Sequence, residues 1–353
     1  MKKTHITKRK LIFITISTLT FLTLFFHACT CKREEPYDRK PILDNKDSLQ
    51  QIKVTIYRYE KDLFAIPLDS LKERLIKIHP TYKIFYSLED LKDPANIAQL
   101  KSYLTDYTIK KMYEETMKQY ADLSWLEKEL ADVFRRIKGQ IPTWKVPHVY
   151  TYVSGGDVEY PVKYAENNVI IALDMFLGKD FYVYKLLQIP EYLRRRMTKD
   201  YIVPNVSREI ARALIEQKGF VPHTFLDKMI FEGKLLYFND ITQPNLHDSI
   251  KIGYTTPQLF WAEKNEGNVW AYFVEKKLLY TTDTREMNKY FLEAPFTSTF
   301  SRYSAPRIGR FIGWRIVRSY MAHNPSVTVE QLLANMNAQE ILQKSNYRPK
   351  PTQ

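Results

Sequence analysis

The stretch Arg208-Glu209-Ile210-Ala211-Arg212, inside a helical run over 204–217 that Gly219 closes, decides how this chain is read. A spacing of four puts both arginines on one helix face with Glu209 beside them. Twenty residues past Arg212, Glu232 stands in Met229-Ile230-Phe231-Glu232-Gly233, on the next helical segment. An apolar run at 169–173 precedes both and reads as a strand. Taken alone, Arg-Glu-x-x-Arg is what an ion-pair cluster on a solvated helix face would also produce. The order of strand, helix and second helix with glutamate, together with a charge count, favours a sharper reading.

Its shape is His-Glu-x-x-His with both histidines replaced. In that form the motif resembles the core of the zincin metallopeptidases, where two imidazoles hold zinc and the glutamate is general base toward metal-bound water. On that resemblance Glu232 takes the place of the third ligand of the gluzincin arrangement, and 169–173 that of the edge strand along which peptide substrates lie. Guanidinium has no lone pair to offer a metal and stays protonated, so zinc would meet two cations. Two guanidiniums do supply the +2 that zinc would bring against two glutamates. Glu232, with Glu209 as the second candidate, is therefore expected to bond Arg208 and Arg212 as a salt-bridge plug. The expectation is a degenerate metal-site cluster of Arg208, Glu209, Arg212 and Glu232, with no metal, no cofactor, no catalytic residue and no enzyme activity.

Outward from this cluster the chain is mostly helical. Ile52, Val54 and Ile56 alternate as a first strand, and 69–78 has the spacing of a short amphipathic helix. The span 94–140 is strongly helical, with Ser124 and Glu127 as a capping box and Gly139 and Pro142 as its end. Strands are expected over 146–153 and 169–173, with Ser154-Gly155-Gly156-Asp157 as the turn. Helices are expected over 204–217, 224–238, 257–277, 284–292, 306–323 and 327–337, the last capped by Thr328 before Glu330. Glycines at 309 and 313 suit close helix packing, favouring a core helix over a basic docking surface for 307–318. The fold class is α+β, mainly helical with a small sheet, on a degenerate zincin-like metallopeptidase plan. One globular domain is expected over 51–345, divided into a mostly helical part, 51–145, and a zincin-like part, 146–345, with a tail over 346–353.

At the start, basic residues precede the apolar run from Leu11 to Phe26, the length of a secretory signal and short for a membrane span. Ala28 before Cys29 resembles the lipobox of lipoprotein signal peptidase, although Phe26 and His27 depart from it. The expectation is a signal peptide over 1–28, lipidation of Cys29 and a flexible tether over 29–50. The formal charge is +13, from 53 basic and 40 acidic residues. Removing Lys2, Lys3, Lys8, Arg9 and Lys10 leaves 48 minus 40, or +8, too dilute over such a chain for a nucleic-acid partner. The two cysteines, Cys29 and Cys31, leave the domain without an internal disulfide, so its stability comes from packing.

Other chemistries are poorly supported. The histidines form no metal-like pair, and no Gly-x-Ser-x-Gly or phosphate-binding glycine loop occurs. Asp174 with Asp180 would suit a glycosidase only at a working separation that sequence does not give. A glycan binder would need exposed aromatic rings, for which Trp125, Trp144 and Trp261 are the candidates.

Several ordered segments resemble the gliding-motility lipoprotein GldB family of Bacteroidetes. They include Tyr57-Arg58-Tyr59-Glu60-Lys61-Asp62-Leu63-Phe64, Leu173-Asp174-Met175-Phe176-Leu177-Gly178-Lys179-Asp180, Phe231-Glu232-Gly233-Lys234, Pro306-Arg307-Ile308-Gly309 and Gly313-Trp314-Arg315-Ile316-Val317. The resemblance implies a lipid-anchored cell-envelope protein, a non-catalytic scaffold or accessory component of the gliding and type IX secretion machinery. Its partners would be the membrane, through the N-terminal lipid, and other envelope motility or secretion proteins. Thr30 after Cys29 carries no obvious inner-membrane retention signal, so the outer membrane is favoured. The alternatives are an active zinc hydrolase with unconventional ligands and an envelope glycan- or peptide-binding module.

Overall fold

A four-stranded sheet ordered β1-β2-β4-β3 organises the domain, formed by Ile56–Arg58 (β1), His148–Tyr152 (β2), Val162–Ala165 (β3) and Asn168–Ala172 (β4). The computed structural model describes residues 51–350, so the expected signal peptide, Cys29 and the tether lie outside the described residues. β1 and β2 are parallel, as are β2 and β4, in register through Val149 and Val169. Such pairs need long crossovers. The β1–β2 crossover is a set of helices at Tyr59–Phe64 (α1), Leu71–Tyr82 (α2), Pro94–Thr105 (α3), Tyr107–Gln119 (α4) and Ser124–Gln140 (α5).

The turn at 154–157 therefore does not join two neighbouring strands. The hairpin lies further on, between β3 and antiparallel β4, where Glu166 and Asn167 both take positive φ, 49° and 61°. That pair of left-handed residues matches the twist of a two-residue hairpin. β4 is thus flanked by β2 and β3 and is not the expected edge strand; the edge beside it is β3. An apolar run marks a buried strand, and a strand paired on both sides is the more buried one.

After the sheet come Tyr182–Leu186 (α6), Glu191–Arg194 (α7), Ile202–Glu216 (α8), Phe225–Thr242 (α9) and Asp248–Ile252 (α10). Thr256–Glu275 (α11), Thr284–Phe291 (α12), Ile308–His323 (α13), Val329–Ala334 (α14) and Ala338–Ser345 (α15) complete the domain. The architecture is mainly helical with a small sheet, as the α+β class requires. Among the described residues, no helix is long and apolar enough to cross a membrane.

Local signals succeed and fail for identifiable reasons. Thr224 caps α9 in a reciprocal box with Asp227, and Thr328 caps α14 with Gln331 as its partner instead of the nearer Glu330. Ser124 caps nothing, because its hydroxyl bonds Asp122 while Glu127 accepts the Ile56 amide at 3.0 Å, tying α5 to β1. The expected tail after 345 begins with a core residue: Tyr347 is buried, its ring set edge-on to Trp270.

α9 and α13 form the central helix pair and cross with almost no space between their backbones. A Cβ on Gly313 would stand 1.8 Å from the Met229 carbonyl oxygen, and one on Gly233 2.3 Å from that of Gly313. Gly309 faces the Phe291 ring at 2.6 Å in the same sense. The segment 307–318 is thus core, and its buried arginines are held internally. Arg318 donates to both carboxylate oxygens of Asp240 at 2.7 Å and lies 3.8 Å from the Trp314 ring centroid. Lys251 Nζ and Trp314 Nε1 each reach Asp240 at 2.8 Å.

Candidate functional site

α8 runs beside β3 with Ile202, Val206, Ile210 and Ile215 buried on one side. Its opposite face carries Asn205, Arg208, Glu209, Arg212 and Glu216 along one wall of a cleft of about 750 Å³. Pro204 sits in the first turn, where its missing N–H breaks no helical bond. The other walls are the approach to β3 at 158–162, Met175 and Phe176 after β4, the segment 193–197, Glu293 and Arg310.

Of the four expected site residues, the fold joins two pairs. Arg208 Nη2 donates to Glu232 Oε2 at 2.5 Å. Arg212 turns away from Glu232 to Glu209, its Nε donating at 3.2 Å, and approaches Glu216 at 4.0 Å. Arg212 also lies over the Phe231 ring, 5.4 Å from its centroid. The two arginines therefore share a helix face but not a carboxylate.

Four further residues complete the cluster, and sequence reading missed them. Arg310 Nε lies 3.5 Å from Glu232 Oε2, and Arg310 Nη1 3.6 Å from Glu293 Oε1. Arg196 holds Glu293 with both terminal nitrogens, at 3.3 and 2.7 Å. Arg307, 2% exposed, donates to Glu293 at 3.0 Å and to the carbonyls of Ile252 and Gly253 at 3.0 and 3.2 Å. Its backbone is left-handed, φ 51°, at the start of α13, which aims the side chain inward. These contacts are remote in sequence. The only local hints were the arginine run 194–196 and the arginines at 307 and 310.

The electrostatics follow from burial opposed by charge. Burial alone would raise the Glu232 carboxyl, but Arg310, Arg208 and Arg212 outweigh it and hold it at about 2. Glu293 is likewise at about 2, with Arg307, Arg196 and Arg310 prevailing over burial. Glu209 moves the other way: burial raises it, and Arg212 and Arg208 offset this only in part. Burial, then the neighbouring guanidiniums, bring Arg307 and Arg310 down to about 10, so both are charged at neutral pH.

As a place for zinc, the cleft does not fit. The two positions that would offer imidazoles offer guanidiniums, and Glu232 is engaged by Arg208. Among the described residues, no group of three or more His, Cys, Asp or Glu is placed to hold a metal ion.

Residues 42–349 match the family described as gliding motility protein GldB. The chain belongs to the GldB family. No curated protein and no solved structure matches it.

The remaining candidates in this GldB-family chain resolve quickly. Asp174 is buried beneath the 154–156 turn, accepting from Ser154 N at 2.8 Å, Ser154 Oγ at 2.9 Å and Gly155 N at 2.9 Å, while Asp180 is exposed. Burial pushes the Asp174 carboxyl up to about 6 against those bonds. It is a turn anchor, unavailable as half of a glycosidase pair. Trp144 is buried, and Trp125 and Trp261 are half-buried against the core, so the three make no exposed sugar platform.

Proposed function

We propose that this protein is a lipid-anchored, non-catalytic accessory component of the cell-envelope machinery for gliding and type IX secretion. Its cleft is that of a metallopeptidase-like body in which guanidiniums have replaced the metal. The observation that carries this reading is the Arg208–Glu232 bond at 2.5 Å, because it engages the carboxylate a metal would need. Glu209, the residue a general base would occupy, is tied to Arg212 at 3.2 Å. Membership of the GldB family supports the envelope and motility setting. Cys29 is the lipid-bearing residue in this reading, the outer membrane the favoured membrane, and other envelope motility or secretion proteins the partners.

The deciding experiment replaces the chromosomal gene with Glu209→Gln and measures motility or, in a host that does not glide, type IX secretion. A scaffold keeps wild-type output, since an amide can still accept from Arg212. Loss of output at normal protein level would instead establish that Glu209 must exchange a proton, and the non-catalytic reading would fall.

A further inference from the structure

The ion pairs of the cleft divide into two groups of opposite balance. The first is continuous: Arg196 and Arg307 meet Glu293, Arg310 bridges Glu293 and Glu232, and Arg208 ends the series on Glu232. Four guanidiniums against two carboxylates leave this group at +2. The second is Arg212 with Glu209 and Glu216, which sums to −1, and Glu159 stands at the same rim. The positive excess sits where burial is deepest.

That excess also includes donors without partners. The Nε atoms of Arg196 and Arg310 are buried and have no hydrogen-bond partner among the described residues, and both side chains line the cleft. Arg310 Nε is near Glu232 without making a hydrogen bond to it. A buried donor left unmade is unfavourable, and a surplus of buried cations more so. Planar guanidinium forks suit tetrahedral oxyanions, and the cleft's volume is in the range of small-ligand sites.

We propose that this cleft binds a phosphate-type dianion, free or as a phosphomonoester, anchored by Arg196, Arg208 and Arg310. A dianion neutralises the excess of two, whereas a single carboxylate would cancel only half of it. The acidic rim around Glu209, Glu216 and Glu159 repels a long polyanion, which selects a compact group over a nucleic-acid strand. The inference treats the same cleft as non-catalytic and so rests on that reading. Binding tests it directly, while the Glu209→Gln result in cells tests the reading.

The experiment is calorimetric titration of the purified protein with inorganic phosphate at constant ionic strength, with acetate as the monoanion and glycerol 3-phosphate as the monoester. Saturable phosphate binding is expected, weakened at least about tenfold in R196Q and in R310Q. E293Q raises the excess from two to three and should tighten binding. Equal affinity for phosphate and the monoester marks free phosphate as the ligand; a much tighter monoester marks a phosphate carried on a larger molecule, and either supports the site. No saturable binding, acetate matching phosphate, arginine variants that leave affinity unchanged, or weaker binding by folded E293Q would each overturn it.

Discussion

Replacing Glu232 by glutamine removes one of only two carboxylates in a group of four arginines while keeping shape and one acceptor. The residue is 4% exposed, and its carboxyl is held at about 2 where 4.5 is ordinary. At about 1.4 kcal/mol per pH unit, that depression is about 3 kcal/mol of folding free energy at neutral pH. The low end of the roughly 3–5 kcal/mol expected when one partner of a buried pair is removed is the same figure. For a domain of this size, each kcal/mol moves the melting temperature by about 2 °C, so E232Q should melt roughly 6–10 °C lower. Denaturant unfolding across pH tests the cause as well as the size. Because the folded-state value is depressed, the wild-type advantage is full above about pH 4.5 and shrinks as pH falls toward 2. A loss below about 0.5 kcal/mol at pH 7, within the range of ordinary surface substitutions, would refute the electrostatic account. So would a larger loss that stays constant between pH 5 and pH 3.

The crossing of α9 and α13 predicts that G313A destabilises strongly, by about 3 kcal/mol or more, because its methyl would overlap the Met229 carbonyl at 1.8 Å and the contact is backbone to backbone. Unfolding midpoints close to wild type would show that the helices part without cost. Asp174, raised by burial to about 6, should act on stability in the opposite pH direction to Glu232. The folded state keeps a proton that the unfolded chain releases, so this contribution is full below about pH 4 and is lost as pH rises through 6. The stability of wild type relative to D174N should therefore fall by up to roughly 3 kcal/mol between pH 4 and pH 7. A flat difference would contradict the assignment.

What sequence made legible was local. Four-residue spacing put Arg208 and Arg212 on one face, and the step to the next helix found Glu232; both are properties of a single helix or a short connection. Apolar content marked 169–173 as a strand, one residue off the observed 168–172, but could not name its neighbours, because pairing is a non-local choice. β3 escaped notice because it is short, with half-polar Lys163 and Tyr164, and turns through Glu166-Asn167 without a glycine. The capping pattern at 124–127 misled because Glu127 serves a strand remote in sequence. Arg196, Glu293, Arg307 and Arg310 were invisible as a cluster for the same reason: they converge from three separate segments, and helix spacing links only Arg307 with Arg310.

Two of the buried ionic clusters among the described residues, one around Asp240 and one along the cleft, separate structure from function. Around Asp240, two acids, Asp240 and Asp248, meet two bases, Lys251 and Arg318, and the sum is zero. Trp314 adds a neutral donor, and the cluster lies between α9 and α13, away from the residues that line the cleft. A cluster retained only to join helices has every reason to be neutral, since each surplus buried cation costs several kcal/mol. The cleft wall departs from that rule by two charges and leaves the buried Nε atoms of Arg196 and Arg310, two residues that line the cavity, without partners among the described residues. Stability forgone at a concave surface is the usual mark of a site shaped for something other than folding. R318A should therefore destabilise at any phosphate concentration, whereas arginine substitutions in the cleft should alter stability by an amount that depends on the anion present.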